Sequence, residues 1–231
     1  DSAFREEQRL LFIGRDVSSL YTRRTIGEFR RIALYIQQVL RAKKGNYLIF
    51  FPSYRFMEDV YQEFTQLLAS DEEEMELVIQ QKHMDEEERE NFLRAFEMGR
   101  EKSLIGFGVL GGIFSEGIDL TNEKLIGTLI IGTGLPQVCN EREILKSYFD
   151  QKGLYGFDYA YRYPGMNKVL QAAGRVIRTE DDRGVILLLD ERFQREKGKE
   201  IFPKEWADCE RCRLDIVEEK IRLFWEKQTD N

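Results

Sequence analysis

Short runs of apolar residues alternate along the chain with longer stretches in which apolar side chains recur every three or four positions. Such runs are typical of strands buried on both faces of a parallel sheet, and the recurring spacing is typical of helices. The predicted strands lie at 10–13, 47–51, 77–79, 103–110, 125–131 and 185–189. The predicted helices lie at 26–43, 54–68, 86–96, 140–152, 169–178 and 214–225. This alternation predicts an α/β fold, an open and mainly parallel sheet with helices on both faces.

Residues that begin and end helices stand at the borders of these stretches. Thr25 and Glu28 have the spacing of a capping box, and Lys43-Lys44-Gly45 is a normal helix end. Pro52 stops the strand before it, and Ser53 can cap the helix that follows. Loops at the carboxyl ends of strands bind ligands in open α/β sheets. Ser53 is therefore either a phosphate contact or a simple cap.

The length of 231 residues suffices for one sizeable domain. We expect residues 1–231 to form it, with a basic lead-in and helix at 1–44, a motif-bearing core at 45–193 and a helical extension at 194–231. The net charge is −7, but residues 1–44 carry ten Lys or Arg against five Asp or Glu. This basic segment either lies near a phosphate backbone or simply places solvated arginines on a helix.

No apolar run approaches the roughly 20 residues of a membrane span, and no signal-peptide pattern opens the chain. We expect a soluble, cytoplasmic protein with no membrane partner. Its first residue is Asp1 rather than methionine, which is consistent with a piece of a longer protein. The three cysteines, Cys139, Cys209 and Cys212, are too few for a disulfide framework, and the CxxC of the last two lacks further zinc ligands. We expect reduced cysteines and no metal site.

The segment from Gln171 to Arg178 reads QAAGRVIR and precedes the predicted strand 185–189. On a helix, Gln171, Arg175 and Arg178 share one face, and Gly174 lets a neighbouring backbone come close. Two guanidinium groups and an amide suit a triphosphate, because arginine is always charged and offers a planar fork of donors. The alternative is a solvated helix face. Arginines at the mouth of an α/β sheet favour phosphate binding.

A second polar segment follows the strand 103–110. Gly111-Gly112 forms a flexible turn, and Ser115, Glu116 and Asp119 come directly after it. Such a loop can offer backbone amides and a hydroxyl to a phosphate, and its carboxylates can bond a ribose or an arginine. The alternative is a polar turn without a ligand.

An aromatic stretch, residues 155–163, lies between these two segments in the chain and directly precedes Pro164-Gly165. Exposed aromatic rings can stack with nucleobases. Aromatic stripes at this spacing are more often part of a core, and both interpretations stay open.

These segments resemble, in the same order along the chain, the motifs of the DinG and XPD branch of superfamily two helicases. The segment Gln171–Arg178 resembles the last motif, and GGxxSEGxD at 111–119 resembles the fifth. Phe51-Pro52-Ser53-Tyr54 is similar to a strand–Pro–Ser–Tyr element of the family. The likeness covers most of residues 45–193 and implies a RecA-like fold and an ATP-dependent DNA helicase that tracks 5′ to 3′ on single-stranded DNA.

The resemblance also implies roles for single residues. Arg175 and Arg178 would be arginine fingers that act on ATP held by another domain. The nucleotide cleft would be lined by Gln171, Glu116, Gly117 and Asp119. The DNA backbone would be contacted by Ser53, Tyr54 and Ser115.

Several parts that the family uses are missing from this sequence. There is no GxxxxGK[ST] phosphate loop and there are no iron–sulfur cysteines. Asp190-Glu191 follows the arginine motif and is not the family's metal site. We therefore expect the C-terminal motor domain of a longer chain. Its N-terminal helicase domain would hold most of the ATP and Mg²⁺ contacts and any iron–sulfur cluster. Two other interpretations are a RecA-like interaction module without motor activity and the helicase part of an exonuclease–helicase fusion.

Overall fold

The computed structural model describes residues 6–69, 75–97, 102–114, 125–177, 182–195 and 200–227. Within them, seven strands form one sheet in which every pairing is parallel. The strands are β1 (Arg9–Gly14), β2 (Asn46–Phe51), β3 (Met75–Ile79), β4 (Ser103–Val109), β5 (Gly127–Ile131), β6 (Gly184–Leu189) and β7 (Glu210–Cys212). Their order across the sheet is β3-β4-β2-β5-β6-β1-β7. The predicted parallel α/β fold is confirmed.

Six α-helices are described: α1 (Ile26–Ala42), α2 (Tyr54–Leu68), α3 (Glu86–Glu97), α4 (Asn140–Gln151), α5 (Tyr163–Ala173) and α6 (Val217–Glu226). Alternate residues of β2 belong to two separate hydrophobic clusters, because successive side chains of a strand point to opposite faces. Helices α1, α2 and α6 cover one face, and α3 and α5 cover the other. No described helix is long and apolar enough to cross a bilayer.

The predicted lead-in strand lies deeper in the sheet than its position in the chain suggests. Strand β1 pairs with β6 on one side and with β7 on the other. Phe12 and Ile13 are completely buried. The first strand and the end of the chain therefore complete one sheet. The three-residue strand β7 was not predicted, since two of its three residues are exposed and charged.

The start of helix α1 follows its sequence signal, whereas α5 begins six residues before its predicted start and α6 begins three residues after it. The Oγ1 of Thr25 accepts a hydrogen bond from the amide of Glu28, as predicted. The carboxylate of Glu28 does not return the bond to Thr25. It accepts instead from the amide of Ser18 at 2.5 Å and from Arg23 Nη2 at 3.1 Å. Half of the predicted capping box is thus present, and its other half ties the loop after β1 to helix α1.

Candidate functional site

Helix α5 runs from the edge of the sheet where strands end, the carboxyl edge, to the edge where they begin, the amino edge. At its start, Gly165 lies against Gly134, which follows β5, and a Cβ added at Gly134 would be 2.6 Å from Gly165 O. Beyond its end, Val176 packs against Gly184, the first residue of β6. Gln171 and Arg175 therefore lie at the amino edge.

The structure corrects the predicted arginine helix. Helix α5 ends at Ala173, and Arg175 lies in the turn that follows. The amides of Arg175 and Val176 bond three residues back, at 3.3 Å each, rather than four. The helix stops because Val176, only 2 % exposed, is seated in the core beside β6. Arg175 thus does not continue the helical face of Gln171, and Arg178 lies outside the described residues.

Solvent reaches both described side chains of this motif. Gln171 is exposed and Arg175 is half-buried. The predicted close approach of a neighbouring backbone at Gly174 is wrong for the described part of the chain. A Cβ there would meet only Leu170 O at 3.3 Å and Gln171 O at 3.7 Å, both from its own helix.

Ser115, Glu116, Gly117 and Asp119 lie outside the described residues, but the two flanks of this segment are described. On one side, Phe114 stacks on Phe92 with ring centroids 3.9 Å apart. On the other, Leu125 is buried in the same hydrophobic cluster as Val176. Ile126 O accepts a hydrogen bond from Val185 N at 3.0 Å. Leu125 and Ile126 therefore lie at the amino edge, beside Gly184 and the turn that carries Arg175.

Ser53 and Tyr54 lie at the opposite, carboxyl edge, where β2 ends, and both are half-buried. The Oγ of Ser53 accepts from the amide of Phe56 at 3.3 Å, so its predicted role as a helix cap is confirmed. The hydroxyl of Tyr54 accepts from Gln80 Nε2 at 2.9 Å. Gln80 Oε1 in turn accepts from the amide of Val109 at 2.9 Å. The buried Gln80 thus joins the ends of β2, β3 and β4.

A further group at the carboxyl edge was missed from the sequence. Both oxygens of the fully buried Asp190 accept hydrogen bonds from Arg192, and Oδ2 also accepts from the amide and hydroxyl of Ser19. Burial raises the pKa of Asp190, but Arg192 and Ser19 outweigh it and hold the pKa below its ordinary value. An Asp directly after a buried strand is the only sequence signal. Because these oxygens are occupied, Asp190 does not offer a Mg²⁺ site.

A cavity of about 290 Å³ opens at the ends of β5 and β6. We call it the aromatic–arginine pocket because its lining includes Tyr155, Phe157, Arg162, Arg192 and Arg195. Leu135 also lines it. Met166 and Phe193, nearly fully buried, also line it. The sequence left open whether the aromatic stretch is part of the core or exposed for stacking, and its residues are of both kinds. Tyr161 is buried, whereas Tyr155, Phe157 and Tyr163 are exposed.

The two cysteines of the CxxC lie on opposite faces of the sheet. Cys212 belongs to the cluster under α1 and α6, and Cys209 packs against the other cluster. All three cysteines are free. No group of three or more potential ligands for a metal occurs among the described residues. The sheet thus separates the side chains of Cys209 and Cys212.

Comparison with known proteins gives consistent matches. Residues 36–209 match the family described as helicase C-terminal domain. The ATP-dependent DNA helicase XPD of Sulfolobus acidocaldarius is 29% identical over 189 residues, which cover 79% of this chain and 31% of that protein. The XPD/RAD3 helicase subunit of general transcription and DNA repair factor IIH from Saccharomyces cerevisiae is 30% identical over 162 residues, 66% of this chain and 20% of that protein.

A solved structure of apo XPD has a TM-score of 0.71 and 23% identity with this chain, and the match covers 89% of this chain and 40% of that one. This likeness identifies the fold as RecA-like. The chain spans between a fifth and a third of the length of the two curated relatives.

Proposed function

Because this chain belongs to the helicase C-terminal domain family, in the DinG/XPD branch of the superfamily two helicases, we propose that it is the second motor domain of an ATP-dependent DNA helicase. It closes an ATP site whose phosphate loop and Mg²⁺ ligands belong to an N-terminal motor domain of the same full-length protein. The curated relatives, three to five times longer than the matched segment, leave room for such a domain.

The observation that supports the proposal is the position of Leu125, which follows the segment 115–124 in the chain. Leu125 is buried in the same cluster as Val176, one residue after Arg175. On the likeness to the family, we assign Glu116, Gly117, Asp119 and Gln171 to the nucleotide cleft. The guanidinium groups of Arg175 and Arg178 stabilise the charge that develops as the γ-phosphate leaves, an effect worth roughly a thousandfold or more in turnover.

The DNA strand, in this proposal, passes the carboxyl edge. Ser53 and Tyr54 lie there, half-buried at the start of α2, and Ser115 is assigned to the DNA backbone on the likeness to the family alone. Backbone amides and small hydroxyls bind phosphates without reading sequence. We assign single-stranded DNA and 5′ to 3′ tracking on the likeness to the family alone.

Helix α5 offers a physical link between the two edges. It begins at the carboxyl edge against Gly134 and ends at the amino edge beside Gly184. A rigid body that spans both edges moves its DNA contacts whenever its ATP contacts close or open. Repeated closure on ATP then advances the domain along one strand, which accounts for coupled hydrolysis and movement.

The test joins this chain to an N-terminal motor domain of its family and measures DNA-stimulated ATP hydrolysis. Arg175→Ala and Arg178→Ala should each lower turnover by roughly a thousandfold while ATP binding is largely kept. The matched control is Arg94→Ala, an exposed arginine on α3 whose partner is Glu90, and its turnover should match wild type. Unchanged turnover in both arginine variants would favour an interaction module without motor activity.

A further inference from the structure

The aromatic–arginine pocket is not used by the proposed ATP site, which lies at the other edge of the sheet. Its rings are unusually open to solvent: Tyr155 is 57% exposed and Phe157 is 36% exposed. Phe157 is held in place by stacking on Tyr161, with centroids 5.1 Å apart. The fixed ring of Phe157 and the exposed ring of Tyr155 beside a cavity can receive a flat apolar group, and nucleobases stack on exposed rings whatever their sequence.

The charged groups that line the pocket are all arginines. The carboxylates that pair with them, Asp158, Asp190 and Glu191, are not among the lining residues. The described lining of the pocket therefore contains three guanidinium groups and no carboxylate. The cavity thus combines flat rings with cations, which is the chemistry that fits a base attached to a phosphate.

Arg162 carries an unused donor at this site. Its Nη1 donates to Asp158 Oδ1 at 2.7 Å. Its Nη2 is buried and has no acceptor within the described residues. A buried donor without an acceptor costs about 1–3 kcal/mol. A ligand oxygen in the pocket would supply the acceptor that is missing.

The pocket is built by irregular backbone on both sides. Asp158–Arg162 forms a π-helix, a feature often found at functional sites. Opposite it, the loop of Thr133 and Leu135 is pressed against the start of α5 by the contact of Gly134 with Gly165. The site is thus preformed, and its volume is at the small end of ligand pockets, which range over roughly 300–1,000 Å³.

The position relates the pocket to the proposed DNA path. It opens where β5 and β6 end, and β5 is the neighbour of β2, whose end carries Ser53. A strand held at Ser53 therefore passes along the same edge as the pocket.

We propose that the aromatic–arginine pocket binds one nucleotide of single-stranded DNA, with the base stacked against Tyr155 and Phe157 and the phosphate at Arg162 and Arg195. This rests on the proposed function, and it adds a base-holding site that the helicase motifs do not contain. A captured base would hold the strand between steps while the Ser53 contact is released.

The test measures binding of a fluorescein-labelled 12-residue oligothymidylate to this 231-residue chain by anisotropy at low salt. Tyr155→Ala should weaken binding roughly tenfold, since one base–ring stack is lost. Tyr148→Ala, a ring of similar exposure at 51% that does not line the pocket, is the control and should bind like wild type.

A second pair of variants tests the phosphate contact. Arg195 and Arg94 both have side chains that are 62% exposed, and both pair with a Glu four residues earlier on the chain. Arg195→Ala should lower affinity and reduce the salt slope by about one, because one phosphate contact is lost. Arg94→Ala should change neither. Equal urea midpoints for all four variants would exclude loss of folding.

Photocrosslinking locates the base directly. A 12-mer that carries 5-iododeoxyuridine should crosslink to Tyr155 or Phe157, and free thymidine monophosphate should compete only weakly. If wild type binds the oligonucleotide but Tyr155→Ala binds equally well and crosslinks lie elsewhere, the pocket assignment fails and the proposed function stands. Strong binding of the free nucleotide without the strand would overturn the assignment to DNA. No oligonucleotide binding at all would overturn both.

Discussion

The guanidinium of Arg192 closes on the buried carboxylate of Asp190, with Nε 2.8 Å from Oδ1 and Nη2 2.8 Å from Oδ2. Ser19, from the loop after β1, donates its amide and hydroxyl to the same Oδ2 at 2.9 and 2.7 Å. Ser19 and Arg192, 173 positions apart in the chain, thus share one carboxylate. This group joins the ends of β1 and β6 and fixes the arginine that forms one wall of the aromatic–arginine pocket.

We expect Asp190→Asn to destabilise the fold by about 3 kcal/mol at pH 7, the lower end for a broken buried ion pair, because Arg192 keeps some contact with water. The folded-state pKa of Asp190 is below its ordinary value, so its contribution is complete above the unfolded carboxyl pKa and is lost as pH falls through the folded one. Urea denaturation should therefore show the whole difference in free energy of unfolding between variant and wild type at pH 7. That difference should become smaller in acid, below about pH 4.

The control for that experiment is Asp59→Asn. Asp59 pairs at 3.7 Å with Arg55, whose side chain is 85% exposed. Surface pairs of this kind contribute about 0–1 kcal/mol. A loss at Asp190 no larger than the loss at Asp59 would contradict a structural role for the buried carboxylate.

Gly134 is the second test of how the pocket is built. Its φ is +65°, and a Cβ would collide with Gly165 O at 2.6 Å. Gly153 has φ +75° with nothing within 4 Å of its Cβ position. Gly153→Ala should cost about 1–2 kcal/mol for the left-handed backbone alone. Gly134→Ala should cost clearly more and should also weaken oligonucleotide binding. Equal costs in thermal denaturation would show that the contact with Gly165 carries no energy.

The sequence predicted the parts of the fold that depend on neighbouring residues. The run 47–51 predicts a strand and Ser53 a helix cap, and both lie where expected because apolar runs and caps act locally. The order of the strands across the sheet could not be predicted from the sequence. Parallel strands of similar Val, Ile, Leu and Phe content are joined through helices, so nothing local tells β2 to pair with β4 and β5.

The candidate site shows the same division. The end of α5 had a local signal, since glycine is enriched just past helix ends and Gly174 stands there. The predicted helix ran on to Arg178 because arginine and apolar residues at that spacing also suit a helix. Relationships between distant segments leave no local pattern, such as the hydrogen bond of Ser19 with Asp190 or the shared lining of the pocket by Leu135 and Arg195. The roles of Arg175, Arg178 and the segment 115–119 stay predictions.

Gln80 joins the proposed DNA loop to the sheet, so its replacement should destabilise both. Gln80→Leu deletes the bonds to Tyr54 and to the amide of Val109, and we expect a loss of about 1–2 kcal/mol in urea denaturation. Tyr54→Phe deletes only the first bond and should cost less. The double variant should be no worse than Gln80→Leu, because the bond to Tyr54 is already gone. Strictly additive losses would contradict a shared hydrogen bond.

The three thiols differ in their access to solvent. Burial raises the pKa of the Cys212 thiol to about 12, and the nearby carboxylates of Asp16, Glu210 and Asp215 add to this against the opposing charge of Lys220. Since the thiolate is the reactive form, Ellman's reagent at pH 8 should label exposed Cys139 first and half-buried Cys209 more slowly. Cys212 should react only after denaturant is added.

Single substitutions assign these phases. Cys139→Ser should remove the fast phase, and Cys212→Ser should leave native-state labelling unchanged. Added Zn²⁺ should protect none of them, because Cys209 and Cys212 lie on opposite faces of the sheet and cannot share an ion. Joint protection of Cys209 and Cys212 by Zn²⁺ would require their sulfurs to meet. That would contradict the pairing of β7 with β1, on which the position of Cys212 depends.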